Sequence, residues 1–258
     1  MSDQVKRVRS EDGTGLAVYV GGSGTPLVMV GGALSDHRAV TPLRPLLEPH
    51  FTVYAYDRRG RGGSGDAASY EVQREIEDLA AVVDLAGPGT VVYGHSSGAI
   101  LAMEAAAQGL RARRLAVYEP PYDVDRKAIE DLPERLAVLV GAGDGAGAVR
   151  AFLRDGPGIS EAMLDKMSAA PFWPAMVAIA PTVVYDATIA MVGRVSKERF
   201  ARLPMPVTVM YGDSSPNRMR AAAAALAEAV PAGALVGLSG QDHNPNPTVL
   251  AEHLIAVG

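Results

Sequence analysis

Cysteine is absent from the 258-residue chain, which removes disulfides, thiolate metal sites and a cysteine nucleophile together. Positive charge is also scarce. Lys and Arg number 24 against 29 Asp and Glu, a formal charge of -5, and the basic residues are scattered apart from Arg111, Arg113 and Arg114, so nucleic acid is disfavoured as a partner. Nor does the polar, charged stretch from Met1 to Gly13 contain the apolar run that a secretory signal or membrane span needs. No membrane partner and a cytoplasmic location are therefore expected.

What the chain does have is enough apolar sequence for a substantial core: 48% hydrophobic residues with 21% charged. The length suits one α/β domain with an inserted subdomain better than two independent domains. Short apolar and β-branched runs, Gly15 to Val20, Pro26 to Val30, Phe51 to Tyr56, Thr90 to Tyr93 and Leu115 to Tyr118, read as strands. Helical segments fall between them, from Tyr70 to Ala86 and from Gly98 to Leu110. Strand signals then vanish until Pro206 to Tyr211, after which a helix (Arg218 to Val230), a strand (Ala234 to Leu238) and a final helix (Thr248 to Val257) follow.

That alternation predicts an α/β fold with a mostly parallel central sheet flanked by helices. Residues 1–119 and 204–258 form its core, and residues 120–203 form a helical cap inserted after the strand ending at Tyr118.

Gly94-His95-Ser96-Ser97-Gly98 is a G-x-S-x-G sequence lying between a predicted strand and a predicted helix. A nucleophile on so sharp a turn has a strained backbone, so the residues two before and two after it must be small. The turn lifts the Ser96 hydroxyl out of the sheet at the positive end of a helix, where negative charge developing in a transition state is favoured. The competing reading, a tight turn with Ser96 merely capping the helix, loses ground because the motif sits in the middle of an α/β pattern.

In this motif and its context the sequence resembles the α/β-hydrolase superfamily over nearly the whole chain. Asp57-Arg-Arg-Gly-Arg-Gly-Gly-Ser64 looks like the family's D-x-R-G-x-G-x-S turn. Gly60, Gly62 and Gly65 also fit a dinucleotide fingerprint, but on too late a strand and with the helix delayed by Asp66 to Ser69. No cofactor is expected, and the implied partner is a small-molecule substrate. Oligomeric state is not legible.

The resemblance implies a base, an acid and two oxyanion donors. Among five histidines, His243 lies in the loop between the last strand and last helix, where the family carries its catalytic histidine. Ser97 would donate one backbone N–H to the oxyanion; Ala33, in Val30-Gly-Gly-Ala-Leu34, would supply the other, with Gly32 as the alternative. Gly31 stands where the family usually has histidine.

The acid departs further. Aligning Gly212-Asp-Ser-Ser-Pro216 with the family's pattern puts Ser215 where an aspartate belongs. Glu119, directly after the strand ending at Tyr118, is the favoured substitute because some members place their acid there. Asp213 and the absence of any working acid are the other two readings.

Of the large apolar residues in the insertion, Phe172 and Trp173 are candidates to line a pocket with His95, although helical spacing makes packing the default for each. These features favour hydrolysis of a small or medium apolar ester, lactone or thioester through an acyl-enzyme. A non-hydrolytic reaction in the same site, such as a cyclisation, lyase reaction or C–C cleavage, is the first alternative, motivated by Gly31 and the displaced acid. A degenerate hydrolase that only binds a small molecule is the second.

Overall fold

The computed structural model describes residues 4–122 and 129–258; residues 123–128 of the expected insertion lie outside that description. Eight strands form one sheet: β1 (Gln4–Arg9), β2 (Gly15–Gly22), β3 (Thr25–Val30), β4 (Phe51–Tyr56), β5 (Val91–His95), β6 (Arg114–Tyr118), β7 (Val207–Gly212) and β8 (Gly233–Leu238). Their spatial order is β1-β2-β4-β3-β5-β6-β7-β8. The β1/β2 and β2/β4 pairs are antiparallel and every other pair is parallel.

Strand β1 is the element least visible in sequence. Its charged residues Lys6, Arg7 and Arg9 sit on a largely exposed edge, where charge discourages pairing with another chain rather than marking a loop.

Buried alternation builds two cores. In β5, Val92 packs on one face while Val91 and Tyr93 pack on the other, as a period of two demands of a strand covered on both sides. The first face is covered by α2 (Val72–Ala86), α3 (Ser97–Ala107) and α10 (Asn217–Ala229). The second is covered by α1 (Arg44–Leu47) and α11 (Pro247–Val257).

Between β6 and β7 run the inserted helices α4 (Leu132–Gly141), α5 (Gly145–Asp155), α6 (Glu161–Ser168), α7 (Trp173–Ala178), α8 (Val183–Val192) and α9 (Lys197–Phe200). Several of them share a third apolar cluster with Leu132, Phe152, Leu164, Trp173 and Val183, against which Ala33 and Leu34 also pack. Among the described residues no helix is long and apolar enough to cross a membrane.

The chain leaves β3 toward β4 and leaves β5 toward β6, in opposite directions from two adjacent strands. A crevice must open beyond their carboxyl ends, the usual place for a ligand in an open α/β sheet. The loop after Val30 and the turn after His95 lie side by side there, because Val30 pairs with Gly94.

Candidate active site

Ser96 sits on the turn from β5 into α3 with φ 54° and ψ -121°. Its backbone N–H donates to the Tyr118 carbonyl at 2.9 Å and its carbonyl accepts the Ala99 N–H at 2.9 Å, so both flanking elements hold the strained conformation. The turn is passable only to glycine on either side. A Cβ on Gly94 would lie 2.7 Å from the Ala99 Cα, and one on Gly98 would lie 2.4 Å from the Val30 carbonyl oxygen.

Leu34, Ser96 and Glu119 are the non-glycine residues with positive φ among those described. They occupy the loop after β3, the turn after β5 and the turn after β6, three neighbouring strand ends. Clustered strain of this kind costs about 1–3 kcal/mol per residue and persists where the surroundings over-determine it.

Glu119 is fully buried. Its Oε2 accepts a hydrogen bond from His243 Nδ1 at 2.7 Å, and its Oε1 accepts the Gly212 N–H at 2.9 Å. Burial opposes its ionisation, but the bond from His243, the nearby Ser215 hydroxyl and the Gly212 N–H outweigh it and hold the carboxyl below its usual range. Asp213 points elsewhere: its Oδ1 accepts the Gly240 N–H at 2.6 Å and so braces the loop leading to His243. Ser215, which occupies the position where the resemblance places an aspartate, faces the same carboxylate without a well-aligned hydrogen bond.

The His243 loop is fastened from beneath. His95 Nε2 lies 2.9 Å from the His243 carbonyl oxygen, and a carbonyl only accepts, so Nε2 carries the proton. Burial and repulsion from His243 lower His95 to about 4, which keeps its ring neutral. The Tyr118 hydroxyl donates to the Asp242 carbonyl from the neighbouring strand end. Ser96 Oγ has no hydrogen-bond partner among the described residues, an open arrangement common in catalytic sites without substrate.

Gly32 packs directly on the Ser96 turn; a Cβ there would stand 3.0 Å from Ser96 Cβ and 3.1 Å from the His95 carbonyl oxygen. The Ala33 and Ser97 N–H groups have no internal acceptor among the described residues.

Residues 21–252 match the sequence profile of the alpha/beta hydrolase family. An alpha/beta hydrolase from Sphaerobacter thermophilus DSM 20745 is 44% identical, with a TM-score of 0.91 over 97% of this chain and 99% of that one. The chain belongs to the alpha/beta hydrolase family. An esterase from Rhodococcus sp. ECU1013 (20% identity, TM-score 0.73, 100% of this chain and 98% of that one) and a hydrolase from Pseudomonas aeruginosa PA01 (20%, 0.79, 98% and 97%) share the fold.

Of the apolar candidates in this alpha/beta hydrolase, Trp173 is buried among the inserted helices, in the cluster against which Ala33 and Leu34 pack, and Phe172 is half exposed. A groove of about 520 Å³ lined by Asp12, Thr14, Asp66, Glu71 and Arg74 contains none of the candidate residues. Asp36, His37 and Asp57 place possible metal-binding atoms within 4.8 Å of one another, but their atoms are already engaged. His37 Nδ1 meets Asp57 Oδ1 at 2.8 Å, Asp57 Oδ2 accepts the Gly63 N–H, and Asp36 pairs with Arg38.

Sequence reasoning missed a buried ionic cluster next to the strand ends. Arg58 pairs with Glu75 through two bonds of 2.6 and 2.7 Å, and both Arg58 and Arg61 reach Asp186 on α8. One signal was present: Asp186 is the single charged residue of α8, Val-Val-Tyr-Asp-Ala-Thr-Ile-Ala-Met-Val, and a lone carboxylate in an apolar helix needs a buried partner.

Proposed function

We propose that this alpha/beta hydrolase is a serine hydrolase that cleaves small or medium apolar carboxylic esters, lactones or thioesters through an acyl-enzyme. The observation that carries the reading is the 2.7 Å contact between Glu119 and His243 Nδ1, beside a serine on a strained turn at the start of α3.

With Nδ1–H committed to Glu119, His243 presents Nε2 as the free acceptor. As Ser96 Oγ attacks the carbonyl carbon, His243 takes its proton and Glu119 stabilises the resulting imidazolium. The carbonyl electron pair moves onto oxygen, facing the Ala33 and Ser97 N–H groups and the positive end of α3. Collapse expels the alcohol or thiol, which takes the proton from His243. Water, deprotonated by the same histidine, then attacks the acyl-enzyme; the bond to Ser96 Oγ breaks, Oγ takes that proton back from His243, and the carboxylic acid is released.

Of the two motives for a non-hydrolytic reaction, Gly31 and the displaced acid, the second is weakened by a carboxylate on His243, which supports the hydrolytic reading. The test is turnover of an activated aryl ester together with fluorophosphonate labelling. Wild type is expected to do both and Ser96→Ala neither. Full turnover by Ser96→Ala would overturn the nucleophilic mechanism, and binding of an apolar ester with neither turnover nor labelling in wild type would favour the receptor reading.

A further inference from the structure

Asp186 comes from the inserted helix α8, yet its carboxylate is fully enclosed near both oxyanion-donor segments. Oδ1 accepts the Ser97 hydroxyl at 2.7 Å and Arg58 Nη1 at 2.9 Å, and Oδ2 accepts Arg61 Nη2 at 2.7 Å. Both guanidinium groups continue to the loop after β3. Arg61 Nη1 donates to the Gly32 carbonyl at 2.6 Å and the Ser35 carbonyl at 3.1 Å, and Arg58 Nη1 reaches the Gly31 carbonyl at 3.3 Å.

The Gly32 carbonyl and the Ala33 N–H are two ends of one planar trans peptide and point in opposite directions. A cation clamped on that oxygen therefore fixes where the N–H aims and draws electron density away from it. The Ser35 hydroxyl, on the same carbonyl at 2.8 Å, adds a second restraint. On the other side, the bond from Ser97 to Asp186 ties down the residue whose N–H is the second donor.

We infer that Asp186 and Arg61 form a positioning device through which the inserted helix α8 sets the aim of the oxyanion donors, above all the Ala33 N–H; this rests on the serine-hydrolase reading above. The two residues are positioning residues, since neither touches the reacting atoms. Arg61 and Arg58 outweigh the cost of burial and hold Asp186 below the usual carboxylate range, so the clamp stays charged wherever the enzyme is folded near neutral pH. A second fastening, Tyr185 Oη donating to Asp66 at 2.8 Å with its ring stacked on Tyr70, keeps α8 against the 57–71 loop that carries both arginines.

The test compares wild type with Arg61→Lys, Arg61→Met and Asp186→Asn, at a temperature where circular dichroism shows each folded. Arg61→Lys keeps the buried charge but a single ammonium cannot reproduce the fork between Gly32 and Asp186, so it remains informative if the other two do not fold. Turnover of an aryl ester is read beside inhibition by an aryl trifluoromethyl ketone, whose Ser96 adduct places an alkoxide among the oxyanion donors.

Loss of one well-aimed donor costs about 100- to 1,000-fold in kcat, so misaiming is expected to lower kcat by about 10- to 100-fold with KM within about threefold, and to weaken the ketone in parallel with kcat/KM. A lowered thermal midpoint with kcat and ketone affinity unchanged would overturn the inference, as would a fall in kcat with ketone affinity unchanged. Ser96→Ala separates the two levels. If it retains turnover, the serine-hydrolase reading fails; if it is dead while the Arg61 variants match wild type, only the positioning inference fails.

Discussion

Glu119 Oε2 and His243 Nδ1 meet at 2.7 Å although 124 residues separate them in the chain. Glu119 reaches that point because its backbone N–H is held by the Met210 carbonyl and its φ is 44°, which turns the chain out of β6 toward the end of β7. On the reading above, Glu119→Gln keeps an acceptor for the Gly212 N–H but loses the charge that stabilises an imidazolium. An aryl-ester kcat/KM lower by roughly 1,000- to 10,000-fold is expected, by comparison with other triads that lose their acid. Asp213→Asn should stay within about threefold of wild type, because Asp213 supports only the loop. Steady-state kinetics of the two variants decide the assignment, and the reverse order of effects would move the acid to Asp213.

Gly32→Ala tests how tightly the loop after β3 rests on the Ser96 turn. The added methyl would meet Ser96 Cβ at 3.0 Å and the His95 carbonyl oxygen and Nδ1 at 3.1 Å; the first two belong to the strained turn, and the His95 ring is held by the His243 carbonyl. The expected cost is about 1–3 kcal/mol of stability from overpacking, with kcat reduced roughly 10- to 100-fold by displacement of the reacting groups. Thermal unfolding and ester kinetics on one preparation check both. An unchanged kcat would show that the two loops move independently.

Ser96 stood out as a candidate because a local rule marks it, small residues about a strand-to-helix turn, whereas His243 became a candidate through the resemblance, which places a histidine in the loop after the last parallel strand. Glu119 became a candidate through the same resemblance, which offers the position after β6 as an alternative place for the acid. Long-range contacts were not legible. Nothing within the 57–64 turn indicates that Arg58 and Arg61 share a carboxylate over 120 residues away; that pairing depends on how α8 docks. Strand β1 was hidden for a different reason, since an exposed edge strand carries no apolar alternation to betray it.

The Arg58–Glu75 pair is expected to be a stability determinant rather than a catalytic one. Both side chains are almost completely buried, and Glu75 also accepts the Tyr70 hydroxyl at 2.9 Å. Removing one member of such a pair leaves the other charge partly uncompensated, at a cost of about 3–5 kcal/mol. Glu75→Ala should therefore lower the urea midpoint with little change in the denaturant slope. A change under about 1 kcal/mol would mean that Asp186 alone satisfies Arg58.

His95 should leave a signature in the pH dependence of stability. Its ring is held near 4 in the folded protein against an ordinary 6.5, chiefly by burial and then by repulsion from His243, with Glu119 opposing. A base with a lowered folded value stabilises the fold fully above pH 6.5. As pH falls from 6.5 toward 4 the unfolded chain takes up a proton that the folded one refuses, so that stability is lost across this window and the loss levels off below it. A displacement of this size is worth on the order of 3 kcal/mol. Glu119 and Asp186, held below their usual range, lose their contributions at lower pH, while Asp78 and Glu104, raised by burial, act in the opposite sense. A difference measurement removes most of these terms. His95→Gln keeps an N–H able to donate to the His243 carbonyl but cannot titrate. Wild-type stability minus that of His95→Gln, from urea unfolding at pH 7.5, 6, 5 and 4, should fall by about 2–3 kcal/mol across the series. A flat difference would mean that His95 takes up its proton in the folded state as readily as in the unfolded chain, so that burial does not hold its ring neutral.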